Sequence, residues 1–264
     1  MSAPDDKFYR ARVCQRTELG PTLWTMRVQV DGHFTFSPGQ YATLGLEDVT
    51  KKRWERPYSI VSSPCENEVE FFLELVPGGD LTPLLHKLRP GDELLMRKAP
   101  KGRFTFDTTS GRTNHLLVST VTGVAPFVSY ARTLHHESKT GRMPGEHKLF
   151  LLHGASHASE FGYREELQRI VESVPWFKYV STVSRPWEDP SWLGETGRVD
   201  DLVRKYADNW RLTAADSIAY LCGHPEMIEH CKAILRRAGF TKEWLREEVY
   251  WVPKKQGLDE PHPV

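Results

Sequence analysis

From Phe8 to about Asp107 the chain alternates apolar and polar residues in short runs broken by turn residues. FYRARVCQRT and TLWTMRVQV flank Glu18-Leu19-Gly20-Pro21, and SPGQ, QYATLGL, PYSIVS and VEFFLELV follow. In the last of these, Val69, Phe71, Leu73 and Leu75 share one face, as a period of two requires. Pro77-Gly78-Gly79-Asp80 reads as a turn, Thr82 to Leu88 as a short helix stopped by Arg89-Pro90-Gly91-Asp92, and DELLMRK as a return to strand. Closely spaced strands with turns between them predict a small antiparallel barrel of six strands.

Beyond about Thr108 the period changes. HLLVSTV is a strand of the buried type, and Gly123 to Pro126 lead into a helix with Phe127, Val128, Ala131 and Leu134 on one stripe. KLFLLHG, FKYVSTVS and SIAYLCG repeat the strand pattern. Between the first two lies a helix marked by Tyr163, Leu167, Ile170, Val171 and Val174. Another spans 225–238 with Met227, Ile228, Cys231, Ile234 and Leu235 inward and Gly239 as its cap, and EEVYW is a last short strand. Strand alternating with helix predicts a doubly wound parallel sheet of five strands. The expected domains are therefore 1–107 and 112–264, joined at TTSGR and ending in an extension, 252–264.

Composition acts by exclusion. Thirty-five basic and 35 acidic residues leave no net charge in 264 residues, which argues against nucleic acid or an anionic membrane as the main partner. The apolar runs are strand-length, too short for a membrane span. MSAPDDKFYR has no signal-peptide core. Cys14, Cys65, Cys222 and Cys231 lack metal-ligand spacing, so no metal site is expected and free thiols in the cytoplasm are the simplest account. A monomer is the default expectation for oligomeric state.

Two kinds of stretch call for more than packing. RPYSIVSSP, Arg56 to Pro64, alternates like a strand, yet it opens on a cation beside a proline and carries three serines, as though holding a flat anion. In the second half, VSTVTGVAP sets a glycine and Pro126 at a helix start, an exposed N-terminus suited to phosphate or a planar amide, or simply a compact turn. Arg185 follows a strand and Arg198 a glycine. They are either a phosphate clamp or two solvated loop arginines. Cys222 precedes Gly223 at another strand exit, where it reads equally as a small buried hydrophobe.

RPYSIVSSP, FFLELVPGGDLTPLL, TGVAPFVS, LLHGAS, the TVSR and TGRV pair, YLCGHPEMI and EEVYW together resemble the ferredoxin–NADP reductase family, in its bacterial branch, in order and rough spacing over nearly the whole chain. The resemblance implies an FAD-binding barrel and an NADP(H)-binding α/β domain. It implies that Arg56 pairs with the FAD diphosphate, that Pro57, Tyr58, Ser59 and Ile60 line the flavin with Ser59 near N5, and that Gly79 and Thr82 complete a phosphate cradle. Thr122, Gly123, Val124 and Pro126 fall on the nicotinamide and diphosphate side. Cys222 and Gly223 fall beside the nicotinamide, Arg185 and Arg198 at the 2′-phosphate, and Tyr250 or Trp251 over the flavin. Ser59, Cys222 and Tyr250 are the implied catalytic residues.

The chain departs from the family pattern in three places. Val121 stands where GTGxAP has glycine, Ser156 stands where an arginine usually follows the second strand, and the chain runs on past Trp251. Loss of that arginine leaves NADPH favoured but NADH open, with His157 a partial substitute. The implied activity is hydride exchange between NADPH and FAD with single electrons to ferredoxin or flavodoxin. Lys87, Arg89, Arg97, Lys98, Lys101 and Arg103 offer a basic rim for such a carrier, or a solvated face. Two alternatives are the NADH-dependent reductase component of a multicomponent oxygenase using an external ferredoxin, and a non-catalytic flavin-binding electron relay.

Overall fold

A computed structural model describes residues 7–250. Trp251 and the extension lie outside the described residues. Six antiparallel strands form the first half: β1 (Phe8–Glu18), β2 (Leu23–Val30), β3 (Tyr41–Glu47), β4 (Arg53–Ser59), β5 (Val69–Glu74) and β6 (Glu93–Arg97), in the order β4-β3-β6-β1-β2-β5. The sheet curls into a half-barrel whose edges meet where Ile60 bridges Phe71 and the Val61 N–H donates to the Glu70 carbonyl. Trp24, Met26, Leu44, Ile60, Phe71 and Leu73 fill its interior. The short helix, α1 (Thr82–Leu85), is one turn shorter than the pattern predicts; the residues after it close single turns onto Leu84 and Leu85.

RPYSIVSSP does not form the strand its alternation predicts. β4 begins earlier, at Arg53, and ends at Ser59, where the chain leaves β3 to cross toward β5. The run from Ser59 to Ser63 is buried on all sides, which is why alternation loses its meaning there. Ser62 and Ser63 serve packing rather than a ligand. The Ser62 hydroxyl donates to the Glu68 carbonyl at 2.8 Å and accepts from the Glu70 N–H at 2.7 Å, and Ser63 Oγ lies 3.1 Å from Thr133 Oγ1.

The second half is a wholly parallel sheet: β7 (Asn114–Thr120), β8 (Lys148–Ala155), β9 (Phe177–Val183), β10 (Glu195–Thr196), β11 (Ser217–Gly223) and β12 (Leu245–Val249), ordered β10-β9-β8-β7-β11-β12. The sixth strand, beyond the expected five, is the two-residue β10. α2 (Ala125–Lys139) and α3 (Arg164–Ser173) cover one face, and α4 (Val199–Asn209) and α5 (Pro225–Arg237) cover the other. α4 escaped the sequence reading, although Val199, Val203 and Ala207 recur at intervals of four and Asp200 and Asp201 suit a first helical turn. β7 has β8 on one side and β11 on the other, so the order reverses at β7 and a ligand crevice opens beyond its carboxyl end.

The two halves are held together around one carboxylate. Glu70, on the face of β5 opposite the barrel core, is 5% exposed. It accepts from Arg27 of β2 at 2.8 Å, Arg132 of α2 at 2.7 Å and the Tyr163 hydroxyl at 3.0 Å. Arg132 also grips both oxygens of Glu166, and the Ser129 hydroxyl donates to the Ser62 carbonyl. Truncating Glu70 to alanine takes one carboxylate from each guanidinium and the acceptor from the Tyr163 hydroxyl, while Arg132 keeps Glu166 and Arg27 keeps Glu66; urea denaturation is expected to show a loss of roughly 1–3 kcal/mol.

Two buried histidines make stability depend on pH. Burial, and the neighbouring His147, push His115 down to about 3; burial pushes His153 down to about 4. The unfolded chain binds protons at the ordinary value of 6.5, so stability is complete above that pH and falls as pH drops toward 4. Each group contributes a slope of about 1.4 kcal/mol per pH unit in that window. Urea midpoints at pH 7, 6 and 5 should decline, and His115→Phe should flatten the decline.

Candidate functional site

Two cavities meet where the halves join. The first, about 320 Å³, lies against the half-barrel and is walled by Tyr41, Tyr58, Phe72, Val249 and Tyr250, with Pro57, Ser59 and Glu248 also lining it. Rings on the walls, with Ser59, Glu74, Thr82, Thr122 and Glu248 as polar lining, suit a flat, partly polar ring system. Arg56 is not among the residues lining either cavity; its Nη2 lies 3.3 Å from Asp80 in the loop that carries Gly79 and Thr82, and this pair joins β4 to that loop. The Gly79 N–H is already bonded to the Val76 carbonyl, so Gly79 shapes the loop; Thr82 lines the cavity, and its Oγ1 accepts from the Val76 N–H at 3.0 Å. Ile60 is fully buried in the barrel core with its N–H on the Gln40 carbonyl, and contributes packing rather than lining.

The second cavity, about 410 Å³, opens at the carboxyl ends of β7, β8 and β11. Its shape depends on glycines. A Cβ on Gly123 would lie 2.4 Å from the Cys222 carbonyl oxygen, and one on Gly154 would lie 2.7 Å from Val199 Cβ. The first lets the turn after β7 press on β11, and the second lets α4 start beside β8. Gly223 has φ 129°, and a Cβ there would strike Thr120 Oγ1, which accepts from the His224 N–H at 2.9 Å. The helix start at VTGVAP is not exposed as predicted. Residues 121–124 form a 3-10 turn, and Gly123, Val124, Ala125 and Pro126 are buried by that contact with β11. Val121 and Thr122, the latter 9% exposed, are what this turn presents to the cavity.

Arg185 and Arg198 do not converge on one point. Arg198 lines the second cavity but is held by Asp200 at 3.3 Å and Glu226 at 3.2 Å. Arg185 turns outward to Glu188 at 3.7 Å, a carboxylate that also lies 3.5 Å from His157 Nδ1. At Ser156, where the family pattern has an arginine, the backbone N–H donates to Glu160 at 2.7 Å, as does that of His157 at 3.0 Å. Each cationic or N–H donor named here already has a carboxylate from this chain.

Thr122, Glu74 and Tyr250 border both cavities. Beside them the Ser59 hydroxyl donates to Glu248 Oε1 at 2.6 Å, a bond between residues 189 apart that spans the two halves. Burial raises the Glu248 carboxyl, and the Ser59 bond partly offsets it. Glu74 is also raised, by burial and by the nearby Glu160 charge. Cys222 sits behind this junction with no exposed surface; burial first, and Glu248 second, push its thiol well above the usual range, so it is a neutral thiol. Glu74 and Glu248 were missed in sequence because each sits in a strand pattern that explains its neighbours. The only signal was a carboxylate two residues from an apolar strand position at a chain exit.

Residues 10–106 match the oxidoreductase FAD-binding domain family, and residues 117–233 match the oxidoreductase NAD-binding domain family. The chain is 30% identical over 244 residues to a ferredoxin–NADP reductase of Pseudomonas aeruginosa, covering 88% of this chain and 90% of that one. It is also 30% identical to the phenol hydroxylase P5 protein of Acinetobacter pittii, over 92% of this chain but only 65% of the relative. A solved ferredoxin NADP+ reductase from Neisseria gonorrhoeae, with bound FAD and NADP, aligns with a TM-score of 0.80 at 22% identity, over 93% of this chain and 99% of that one.

The Ser59–Glu248 bond has a direct test. Ser59→Ala removes the donor that holds the Glu248 carboxyl down, so its titration midpoint should move upward. The carbon-13 shift of the Glu248 carboxyl across pH 4–9 reads this, and an unmoved midpoint would mean the bond does not form in solution.

Proposed function

We propose that this chain, which belongs to the ferredoxin–NADP reductase family, moves hydride between a reduced pyridine nucleotide and FAD and passes the electrons singly to a ferredoxin or flavodoxin. The observation that supports this most is the shared wall. Thr122, Glu74 and Tyr250 border both cavities, so ligands held in the two would adjoin there. FAD, when bound, supplies the exchange between two-electron and one-electron chemistry that side chains lack.

The chain's own residues bind, orient and exclude water. Arg56 would neutralise the diphosphate at the rim, exchanging Asp80 for it, with Gly79 and Thr82 shaping the loop. Pro57 and Tyr58 wall the slot, and Ser59 with Glu248 supplies its polar end, where a carboxyl raised by burial can hold a proton. Thr122, borne on the turn of Gly123, Val124 and Pro126, faces the nucleotide. Gly223 leaves room beside it, and Cys222 is a dry, neutral backing. Tyr250, 38% exposed, covers the junction. The free thiols of all four cysteines suit the cytoplasm.

A second reading, the NADH-dependent reductase of an oxygenase with an external ferredoxin, draws support from the acid-paired arginines. Asp200, Glu226 and Glu188 are acceptors for a ribose diol, whereas a 2′-phosphate must displace them. Anaerobic titration of the yellow protein with NADPH and with NADH decides between the two. Bleaching by near-stoichiometric NADPH, with Arg198→Ala weakening NADPH about tenfold and NADH less than twofold, is the expected result. Equal or faster bleaching by NADH would favour the oxygenase component. Indifference to both would leave an electron relay.

A further inference from the structure

The turn between the two cavities contains a backbone conformation that its side chain opposes. Val121 has φ 41°, and among the described residues the other non-glycine positions with positive φ are Lys51 and Arg211. Valine is β-branched, and such residues enter the left-handed region only when their surroundings force them. The surroundings are visible. Val121 packs against Ala155, Phe161 and Val183, and its carbonyl oxygen lies 3.0 Å from Nε2 of His153, a residue of β8 with no exposed surface.

The tautomer follows from the partners. A carbonyl only accepts, so the Nε2 facing Val121 carries the hydrogen; Nδ1 is then an acceptor, and it faces the Tyr179 hydroxyl at 3.3 Å. Burial keeps the ring neutral, which preserves this single arrangement at ordinary pH. Tyr179, His153 and the Val121 carbonyl thus form one directed chain. In a trans peptide the N–H points opposite to the carbonyl. Drawing the Val121 oxygen toward β8 therefore turns the Thr122 N–H away from β8. As the second residue of a 3-10 turn, Thr122 has no intrahelical acceptor for that N–H, and it borders both cavities.

We infer that His153 is a positioning residue. By holding the Val121 carbonyl, it keeps the Val121–Thr122 peptide oriented so that the Thr122 N–H meets an acceptor oxygen of the pyridine nucleotide. This rests on the functional reading above. It also accounts for a valine in a place that glycine would occupy without strain: with the histidine as a clamp, the peptide stays in its binding orientation before the ligand arrives.

The test uses the FAD-loaded protein and the oxidised form of whichever nucleotide reduces the wild type, with its dissociation constant read from the flavin difference spectrum. His153→Phe keeps a ring without the donor and should raise that constant about tenfold. His153→Gln keeps an N–H donor and should stay within about threefold, and Tyr179→Phe, which frees the tautomer, should fall between them. Glycine accepts positive φ unaided, so His153→Phe in a Val121→Gly background should cost less than threefold. Equal losses for the Phe and Gln variants, an unchanged constant in His153→Phe, or the same loss in both backgrounds would overturn the role. A wild type that neither nucleotide reduces would overturn the functional reading and the role with it; a reducible wild type with unmoved variants would overturn the role alone.

Discussion

The carboxylate of Glu70 accepts from Arg27 of the half-barrel, from Arg132 of α2 and from the Tyr163 hydroxyl at the start of α3. A buried charge of this kind is tolerable only if every oxygen is matched, and the match here requires both halves of the chain at once. The junction of the two cavities inherits its accuracy from that requirement. Glu74 lies four residues beyond Glu70 on the same face of β5, and Thr122 leads into the helix that carries Arg132. A shift of the halves that loosened Glu70 would separate Glu74 from Thr122, and the bond of Ser59 to Glu248 would break with it.

The side chains at the junction are dry rather than reactive. Cys222 is neutral and enclosed, Glu248 is raised by burial and Ser59 is almost covered. None is a strong nucleophile. Such a site suits a reaction in which the ligands bring the electrons and the protein supplies placement and dryness. The glycines serve the same end: Gly123 lets the turn after β7 press on the Cys222 carbonyl, and Gly223 leaves room for the Thr120 hydroxyl.

What was legible in the chain follows from what periodicity encodes. The barrel, the parallel sheet and four of the five helices could be read because each buries one face against one neighbour. Glu70 and Phe72 could not, because β5 is buried on both faces and period two assigns them to solvent. Ser62 and Ser63 invited a ligand reading since nothing in their own run announced that Glu68 and Glu70 would take the Ser62 hydroxyl and Thr133 of α2 that of Ser63. α4 was hidden behind a loop rich in proline and glycine. The resemblance assigned Arg56, Ser59, Thr122 and Tyr250 to two adjoining ligands, but it said nothing of the acids around Arg185 and Arg198. A carboxylate that pairs an arginine across a turn leaves no trace in spacing.

Those acids change how the crevice meets an anion. Asp200 and Glu226 are tied to the same scaffold as Arg198, and Glu188 to the same turn as Arg185. A tethered group competes at an effective concentration in the millimolar range however dilute the solution. An anion that reaches Arg198 has to displace Asp200 and Glu226, and one that reaches Arg185 has to displace Glu188. The crevice carries its own competitor, and charge alone is not enough to hold a ligand there.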